Sequence, residues 1–284
     1  MSDALKDLPP LSQSRYGDMA CDFLYLHKHA LCGRIADSEA AARGIEIHET
    51  FATYINHLVE TRRSTDLELF DALMNGTSSE AHAVLERFRD NHTFDPEQIL
   101  ATELHIKLDQ DFRPIEGDGE RPAAYEGTLD PVQLHSLTET EIDDWKSYYQ
   151  IIDADTFQSK FYPLLLMCLN PSVERVKCVL EFVRYGASRC VEYTQRDLPW
   201  LKELAQTERA SQRKLHELAA SGERDLKAST GRHCTSCPLL LNGCPMAKTN
   251  PYGQMTAEER LRFALWLQEA EKQNTKVLKY LMVE

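Results

Sequence analysis

The sequence predicts an α/β fold in which a central mixed sheet is flanked by helices, with a cysteine-rich lobe towards the C-terminal end. Three observations predict it. Residues Ser38 to Val59 repeat apolar side chains at helical spacing, and Tyr125 to Tyr149 contains two runs with the pattern of half-buried strands. The stretch Asp155 to Met167 then returns to helical spacing, as expected of a helix that packs back on the sheet.

Composition is that of a compact enzyme. The chain has 284 residues, 42% of them hydrophobic, which suits one elaborated domain better than two full ones. No run approaches the ~20 apolar residues of a membrane span, and the first ten residues lack a basic end followed by an apolar segment. We therefore expect a cytoplasmic protein without a membrane partner. Its eight cysteines are not expected to pair as structural disulfides, so some should be metal ligands and the rest core residues.

The charge balance counts against a nucleic-acid enzyme. The formal net charge is −13, whereas phosphate contacts normally supply much of the affinity for nucleic acids. Net charge says little about a local field, however, and carboxylates that hold metal ions have their charge cancelled by those ions. Any contact with DNA must then be local. Candidate phosphate contacts, each more typical of a solvated charge when taken singly, are Arg62, Arg63, Arg87, Arg89, Lys160, Arg184 and Arg189.

The first third of the chain is predicted to be helical. Leu11 to His29 shows helical spacing after a cap at Ser12 or Ser14. In the next helix, Gly44 carries a helix penalty of ~1 kcal/mol relative to alanine, which suggests that something packs closely there. His48 follows one turn later, and a histidine on a mainly apolar helix is more often structural than a ligand.

The elements before the central strand pair are less informative. Thr65 to Asn91 is predicted to be helical with a break at Asn75 to Ser79, where Gly76 and the serines supply turn and cap chemistry. Ile99 to Asp109 alternates like a strand and contains Glu103. Asp111 to Arg121 is charged, with two glycines and a proline, and is predicted to be a loop.

The central strand pair carries the chemistry. Its runs are Tyr125 to His135, which contains Asp130, and Ile142 to Tyr149, which contains Asp144 and Lys146 on one face of the strand. Carboxylate oxygens can hold Mg²⁺ or Mn²⁺, and a nearby ammonium can steady the charge that develops in phosphodiester hydrolysis. For the Asp-x-Lys pattern alone, a strand pair with ordinary surface charges is the simpler interpretation.

Four short motifs occur in one order along the chain. They are GIEIH ending in His48, GTLDP with Asp130, DWK with Asp144 and Lys146, and QSKFY with Gln158 and Tyr162. In this order the chain resembles the RecB-like branch of the PD-(D/E)XK nuclease superfamily, over the span Ser12 to Pro245. Each motif is weak, but four in order are specific.

The resemblance implies a restriction-endonuclease-like core and a divalent-metal site. It implies His48, Asp130, Asp144 and the backbone carbonyl of Trp145 as metal ligands, with Asp130, Asp144 and Lys146 as catalytic residues. Gln158 and Tyr162 would position substrate and order the site. Glu103 occupies a position where the family often has an acid. Two interpretations of Glu103 are about equally expected: a ligand for a second metal ion, or a surface glutamate.

The remaining core elements follow from periodicity. Val173 to Gly186 and the segment around Cys190 are predicted to form a strand hairpin that extends the sheet. Cys168, Cys178 and Cys190 fall at apolar positions and are predicted to lie in the core. Arg196 to Leu226 is predicted to be a long solvated helix, and Thr256 to Leu281 a terminal helix.

Four other cysteines have metal-ligand spacing. Cys234 and Cys237 form a C-x-x-C pair and Cys244 follows closely, which together with Cys21 gives four thiolates. Such a set can hold Zn²⁺ or an iron-sulfur cluster, and the spacing does not decide between them. The order of one early and three late cysteines resembles the iron-sulfur members of the family, such as AddB-type and CRISPR-adaptation nucleases, and implies a structural [4Fe-4S] cluster.

Together these patterns predict a metal-dependent DNA nuclease, with an exonuclease favoured, acting in repair, recombination, phage biology or CRISPR adaptation. Its expected partners are single-stranded DNA or duplex ends, and proteins of those pathways. Two alternatives stay open: a non-catalytic DNA-binding or scaffolding protein, and a zinc-stapled nuclease acting on RNA. The predicted units are an N-terminal segment 1–37, a nuclease core 38–195 and a C-terminal lobe 196–284.

Overall fold

A computed structural model describes residues 7–30, 39–91, 94–117, 121–147 and 150–220, with residues 228, 229, 231, 234, 237–239 and 244. The α-helices in this part are α1 (Gln13–Asp18), α2 (Asp22–Tyr25), α3 (Glu39–Thr61), α4 (Leu67–Met74), α5 (Ser79–Asn91), α6 (Phe157–Leu169) and α7 (Leu198–Ala220). The strands are β1 (Ile99–Ala101), β2 (Leu104–Leu108), β3 (Tyr125–Leu129), β4 (Val132–Leu134), β5 (Glu139–Lys146), β6 (Arg175–Phe182) and β7 (Ala187–Thr194).

A five-stranded mixed sheet has the order β1-β4-β5-β6-β7, and β2 pairs with β3 in a separate two-stranded sheet. Strands β5 and β6 are parallel, and the other pairs are antiparallel. The parallel pair needs a crossover, which α6 supplies. This arrangement confirms the predicted α/β fold with a mixed sheet flanked by helices.

Two runs predicted as single strands are each divided between the two sheets. The run Tyr125 to His135 breaks at Asp130–Pro131, between β3 and β4, and Pro131 has no N–H to donate to a ladder. The run Ile99 to Asp109 breaks at Thr102 and Glu103, between β1 and β2, where Glu103 has φ 53°. Asp130 and Glu103 therefore lie at junctions and not within strands.

The N-terminal helix was predicted as one element and is wrong in that respect. The chain forms α1, then a turn up to Cys21, then α2 and a π-helical turn at Leu26–Ala30. Ser12 is the N-cap of α1, and its hydroxyl accepts a hydrogen bond from the Arg15 backbone N–H at 3.4 Å.

The main core lies between α6 and the sheets. Helix α6 begins after the Thr156 N-cap, and the side chains of Phe161, Leu164 and Leu165 are almost completely buried. They pack with Ile142 of β5 and with other apolar residues of both sheets. A second cluster joins α3, α4 and α5 to Trp145 of β5. Strand β5 is thereby covered on both faces, which fixes the position of its acids.

The structure corrects two further expectations. Cys168 and Cys178 are buried as predicted, but Cys190 is exposed because it lies on β7, the edge strand of the sheet. The helix predicted as solvated, Arg196 to Leu226, is described as α7 up to Ala220. It packs on α6, with Leu201 almost fully buried.

Two other predictions concern the terminal helix and membrane-spanning segments. The terminal helix predicted at Thr256 to Leu281 lies outside the described residues. Within the described residues, no helix combines the length and apolar character needed to cross a membrane.

Glycine substitutions give a stability test of this packing. A Cβ at Gly127 of β3 would lie 2.6 Å from the Leu165 Cδ1 and 3.4 Å from the Tyr162 ring. Because both neighbours are buried in the core, we expect Gly127→Ala to lower the free energy of unfolding by about 1–3 kcal/mol. Urea unfolding measures the change, and a variant as stable as the parent would show that Leu165 moves aside freely.

Gly44 is the matched control and corrects the close contact expected there. Within the described residues, a Cβ at this position of α3 would meet no atom within 4 Å. Gly44→Ala should therefore raise the free energy of unfolding by up to about 1 kcal/mol, because alanine has the better helix propensity.

Candidate metal centre

A cleft of about 760 Å³, the site cleft, brings most of the predicted site residues together. Helix α3 forms one wall, and the strand junctions, β5 and α6 form the rest. The predicted residues that line it are His48, Asp130, Asp144, Lys146, Gln158 and Tyr162. The four sequence motifs, separated by up to 114 positions (162 − 48), thus meet at one place.

Three side chains at the mouth of the cleft are close enough to share one ion. The atoms that could bind a metal ion, a ring nitrogen of His48 and carboxylate oxygens of Glu103 and Asp130, all lie within 4.8 Å of one another. In the part of the chain that the structure describes, this is the one group of three or more histidine, cysteine or acidic side chains at such distances. His48 Nδ1 is 3.1 Å from Asp130 Oδ1, which holds the imidazole against the carboxylate.

Asp144 lies deeper in the same cleft. Asp144 is 3% exposed, and its Oδ1 has no hydrogen-bond partner in the described structure. The Lys146 Nζ lies 2.6 Å from Oδ2 as an ion pair. Burial raises the pKa of Asp144 to about 6, although the Lys146 charge opposes the rise. A buried carboxylate with one unpartnered oxygen, beside a histidine and two further acids, fits a hard divalent cation.

Lys146 is held in place from two sides. Its ammonium donates to Gln158 Oε1 at 2.7 Å, besides its pairing with Asp144. Gln158 and Tyr162 lie one turn apart on α6, and both line the site cleft. Burial, followed by the charge of Asp144, raises the pKa of Tyr162, so the phenol stays neutral at physiological pH. Within the last motif, Gln158 is therefore the residue that orders the lysine.

His48 responds to the acids around it. Burial pushes the pKa of His48 down, but the hydrogen bond to Asp130 and the charges of Asp130 and Asp144 outweigh burial, so that the pKa is raised. The same acids raise the affinity of this position for a cation in place of the proton. Burial and the Asp130 charge likewise raise the pKa of Glu103.

Known protein structures show weak similarity to this chain. No family model matches the chain, and no curated protein sequence matches it. The crystal structure of a candidate exonuclease from Eubacterium rectale aligns with a TM-score of 0.43 at 11% identity, covering 79% of this chain and 92% of that one. The structure of SSO0001 aligns with a TM-score of 0.29 at 12% identity, covering 70% and 81%. Both similarities are weak, and neither indicates what this chain binds or does.

Trp145 differs from the other predicted ligands because its side chain faces away from the cleft centre. The indole is 3% exposed and packs in the helical cluster against Phe51, with ring centroids 4.6 Å apart. It also lies beside His48, with centroids 6.4 Å apart. Only its backbone carbonyl is a candidate ligand, and the buried indole anchors that stretch of β5.

The candidate phosphate contacts are mostly engaged elsewhere. Arg63 pairs with Asp66 at 2.9 Å, Arg89 with Asp71 at 2.7 Å, and Lys160 with Asp155 at 2.6 Å. Arg87 donates to the Arg184 carbonyl and Arg189 to the Ser188 carbonyl. None of the seven lines the site cleft, where Lys146 is the sole lysine or arginine among the described lining residues.

The four predicted cluster cysteines lie in one neighbourhood. Cys21 is buried with Leu239, and Cys237 packs against the same small cluster. Backbone hydrogen bonds join Cys237 to Cys234 at 3.3 Å and Cys244 to Leu239 at 2.9 Å. The Ser229 hydroxyl donates to the Ala20 carbonyl at 2.7 Å, which ties this segment to the start of α2.

The sulfur atoms are not gathered as they are around a single ion. In the described residues, no three cysteine sulfurs lie within 4.8 Å of one another, whereas zinc–sulfur bonds of about 2.3 Å would bring all four that close. The Gly231 backbone N–H donates to the Cys234 sulfur at 3.4 Å, and hydrogen bonds of this kind tune iron-sulfur ligands.

Sequence reasoning left several cleft residues unassigned, among them Glu103 and Gln13. Glu103 was balanced between ligand and surface acid, and its position beside Asp130 follows from the register of β2 and β3, which no motif encodes. Gln13 was not singled out, although it lines the site cleft. The serines on either side of Gln13 mark a helix start, which gives no signal for a cleft residue.

Proposed function

We propose that this protein is a Mg²⁺- or Mn²⁺-dependent nuclease that hydrolyses phosphodiester bonds in DNA, with an exonuclease favoured. The observation that carries the proposal is the convergence of His48, Glu103, Asp130 and the buried Asp144 around a cleft that also contains Lys146. Hard oxygen ligands, one imidazole and a single fixed ammonium suit phosphodiester hydrolysis better than acyl transfer or redox chemistry.

The residues of the chain have distinct tasks in this proposal. His48, Glu103, Asp130 and Asp144 would hold the cation, with the Trp145 carbonyl as a further ligand. When bound, the cation supplies Lewis-acid polarisation of the phosphate and offsets the negative charge of the cleft. Lys146 lies on the inner side, where its ammonium can stabilise negative charge that develops on the reacting phosphate. Gln158 keeps that ammonium in place, and Tyr162, which lines the same cleft, would position substrate.

The acidic cleft also makes substrate binding dependent on the cation. Its lining carries the carboxylates of Glu49, Glu103, Asp130 and Asp144 against one lysine. A polyanion approaching this surface is repelled until the carboxylates are neutralised. With these carboxylates neutralised by a bound cation, the cleft would accept a polyanion, which reconciles a net charge of −13 with a nucleic-acid substrate.

A structural [4Fe-4S] cluster is the second part of the proposal. It would be held by Cys21, Cys234, Cys237 and Cys244. The shared neighbourhood of these cysteines supports it. Work in DNA repair, recombination, phage biology or CRISPR adaptation, with protein partners of those pathways, is part of the same hypothesis.

Two other functions predict different results. A non-catalytic DNA-binding or scaffolding protein would have little use for a lysine clamped between Asp144 and Gln158. A zinc-stapled nuclease acting on RNA would share the cleft but carry one zinc per chain and prefer RNA. Digestion of end-labelled DNA and RNA, each single- and double-stranded, with Mn²⁺ separates these functions and reports the cleavage polarity.

Metal use gives a separate prediction. We expect cleavage with Mg²⁺ or Mn²⁺, no cleavage in excess EDTA, and binding of Ca²⁺ without turnover. Because the cation binds the folded state, Ca²⁺ at ~100 times its Kd should raise the free energy of unfolding by about 2.7 kcal/mol. Thermal melting with and without Ca²⁺ measures this stabilisation independently of activity.

The control for metal use is Glu103→Gln, which removes one charge from the cleft and keeps the size of the side chain. Its Ca²⁺-induced rise in melting temperature should be smaller than that of the parent. Robust cleavage in EDTA, or a strict requirement for Zn²⁺, would contradict the assignment of Mg²⁺ or Mn²⁺.

A further inference from the structure

A second pocket of about 250 Å³ opens beside the site cleft. This side pocket lies between the start of α1, residues Ser12 to Arg15, and strand β3, residues Glu126 to Thr128, with His105 and Tyr162 also in its lining. Gln13 and Tyr162 line both cavities, so the side pocket adjoins the site cleft. A substrate longer than the site cleft can therefore reach the side pocket across these two residues.

The chemistry of the side pocket differs from that of the cleft. Its one carboxylate, on Glu126, is ion-paired with Arg15, whose guanidinium also donates to the Pro10 carbonyl at 2.9 Å. The other polar side chains are hydroxyls, an amide, a phenol and the His105 imidazole. The site cleft is acidic, whereas the side pocket is close to neutral and offers both hydrogen-bond donors and acceptors.

Most of these polar groups are already engaged with each other. The Ser12 and Ser14 hydroxyls are 3.2 Å apart, and His105 Nδ1 is 3.1 Å from the Thr128 hydroxyl. The half-buried Gln13 side chain is different, because no hydrogen bond to it occurs within the described structure. The Gln13 amide, with two donors and one acceptor, is therefore available to hydrogen-bond a ligand where the two cavities adjoin.

Size and charge restrict what the side pocket can hold. Its volume is below the roughly 300 Å³ at which pockets for drug-sized ligands begin, so a separate cofactor does not fit. A phosphate would meet the Glu126 carboxylate and find no uncompensated cation. A neutral, hydrogen-bonding unit attached to the phosphate in the site cleft satisfies both limits.

We propose that the side pocket binds the nucleoside next to the scissile phosphate, and that Gln13 is a substrate-binding residue whose amide hydrogen-bonds that nucleoside. This inference rests on the proposed nuclease function. It makes the start of α1 part of the substrate-binding surface. Binding of this nucleoside in the side pocket would then determine which phosphate of the DNA strand lies beside Lys146.

The test compares two substrates and two variants. The substrates are a DNA oligonucleotide and bis(p-nitrophenyl) phosphate, a diester without a nucleoside. Gln13→Ala should lower kcat/KM for the oligonucleotide by about fivefold, the effect of losing one hydrogen bond, and leave cleavage of the small diester unchanged. Gln206→Ala, at an exposed position of α7, is the control and should match the parent on both substrates.

Abasic sites placed on either side of the scissile bond locate the contact. At one of these positions, loss of the base should slow the parent by about the same factor, and Gln13→Ala should then add nothing further. An equal loss on both substrates, or no loss on the oligonucleotide, overturns the inference alone. A parent protein that cleaves neither substrate with Mn²⁺ overturns the nuclease proposal, and this inference falls with it.

Discussion

Replacing Asp130 by asparagine is expected to abolish DNA cleavage while the protein stays folded. The substitution keeps the size of the side chain, so it opens no cavity, but it removes a charged oxygen ligand beside His48 and Glu103. Loss of about 4 kcal/mol of transition-state stabilisation corresponds to a rate about 10³-fold lower. Digestion of end-labelled DNA with Mn²⁺ measures the rate, and thermal melting reports the fold.

The control for this prediction is Asp111→Asn, which changes an exposed acid in the loop after β2. It should cleave DNA at the rate of the parent. If Asp130→Asn also cleaved at that rate, the assignment of Asp130 to the metal centre would be wrong. Binding of DNA in Ca²⁺, measured by gel shift, need not fall to the same extent, because other ligands of the cation remain.

Lys146→Ala should lose cleavage to a similar extent for a different reason. It removes the ammonium that lies between Asp144 and Gln158. Because it also leaves a buried carboxylate without its partner, the metal-free variant should be destabilised by about 3–5 kcal/mol at a pH where Asp144 is ionised. Retention of the parent's activity in this variant would exclude a catalytic role for Lys146.

Serine at any one of Cys21, Cys234, Cys237 and Cys244 is expected to remove the proposed [4Fe-4S] cluster and lower solubility together. A metal site that is absent from the unfolded chain converts its binding free energy into folding free energy, so all four variants should do similar damage. The measurements are the iron content, the absorption spectrum of anaerobically purified protein and the soluble yield.

Cys190→Ser is the matched control for the cluster, because Cys190 is exposed on the edge strand β7 and supports no core packing. Cys168→Ser should also keep the colour of the cluster, although it changes a buried position of α6. A colourless anaerobic protein with one zinc per chain would replace the iron-sulfur assignment by a zinc site. A full cluster in Cys21→Ser would remove the early cysteine from the ligand set.

Much of the fold and site could be predicted because short-range patterns encode them. Periodicity identified α3, α6 and the hairpin of β4 and β5, and the spacing of two between Asp144 and Lys146 fixed their common face. The convergence of His48 with Asp130 followed from the order of the motifs. These features depend on local spacing or on motifs that can be read directly.

The rest depends on contacts that no local pattern contains. Alternation cannot show where a strand leaves one sheet for another, so the breaks at Asp130 and Glu103 were missed. Burial of Cys190 was wrong because an apolar neighbourhood in sequence does not show which strand lies at the edge. The side pocket at Gln13 depends on how α1 packs against β3, which is a tertiary contact.

The division of two strand runs between sheets has a consequence at position 103. The pairing of Leu104 with Leu129 sets Glu103 opposite Asp130 at the point where the two ladders separate, and directly opposite residues share a face. At this junction Glu103 has a left-handed backbone, φ 53°, which costs about 1 kcal/mol for a residue with a Cβ. Glycine would adopt that conformation readily but would offer no carboxylate. Glutamate at position 103 therefore lowers conformational stability but provides a proposed metal ligand. A screen that selects for thermal stability alone would favour substitutions that remove this carboxylate.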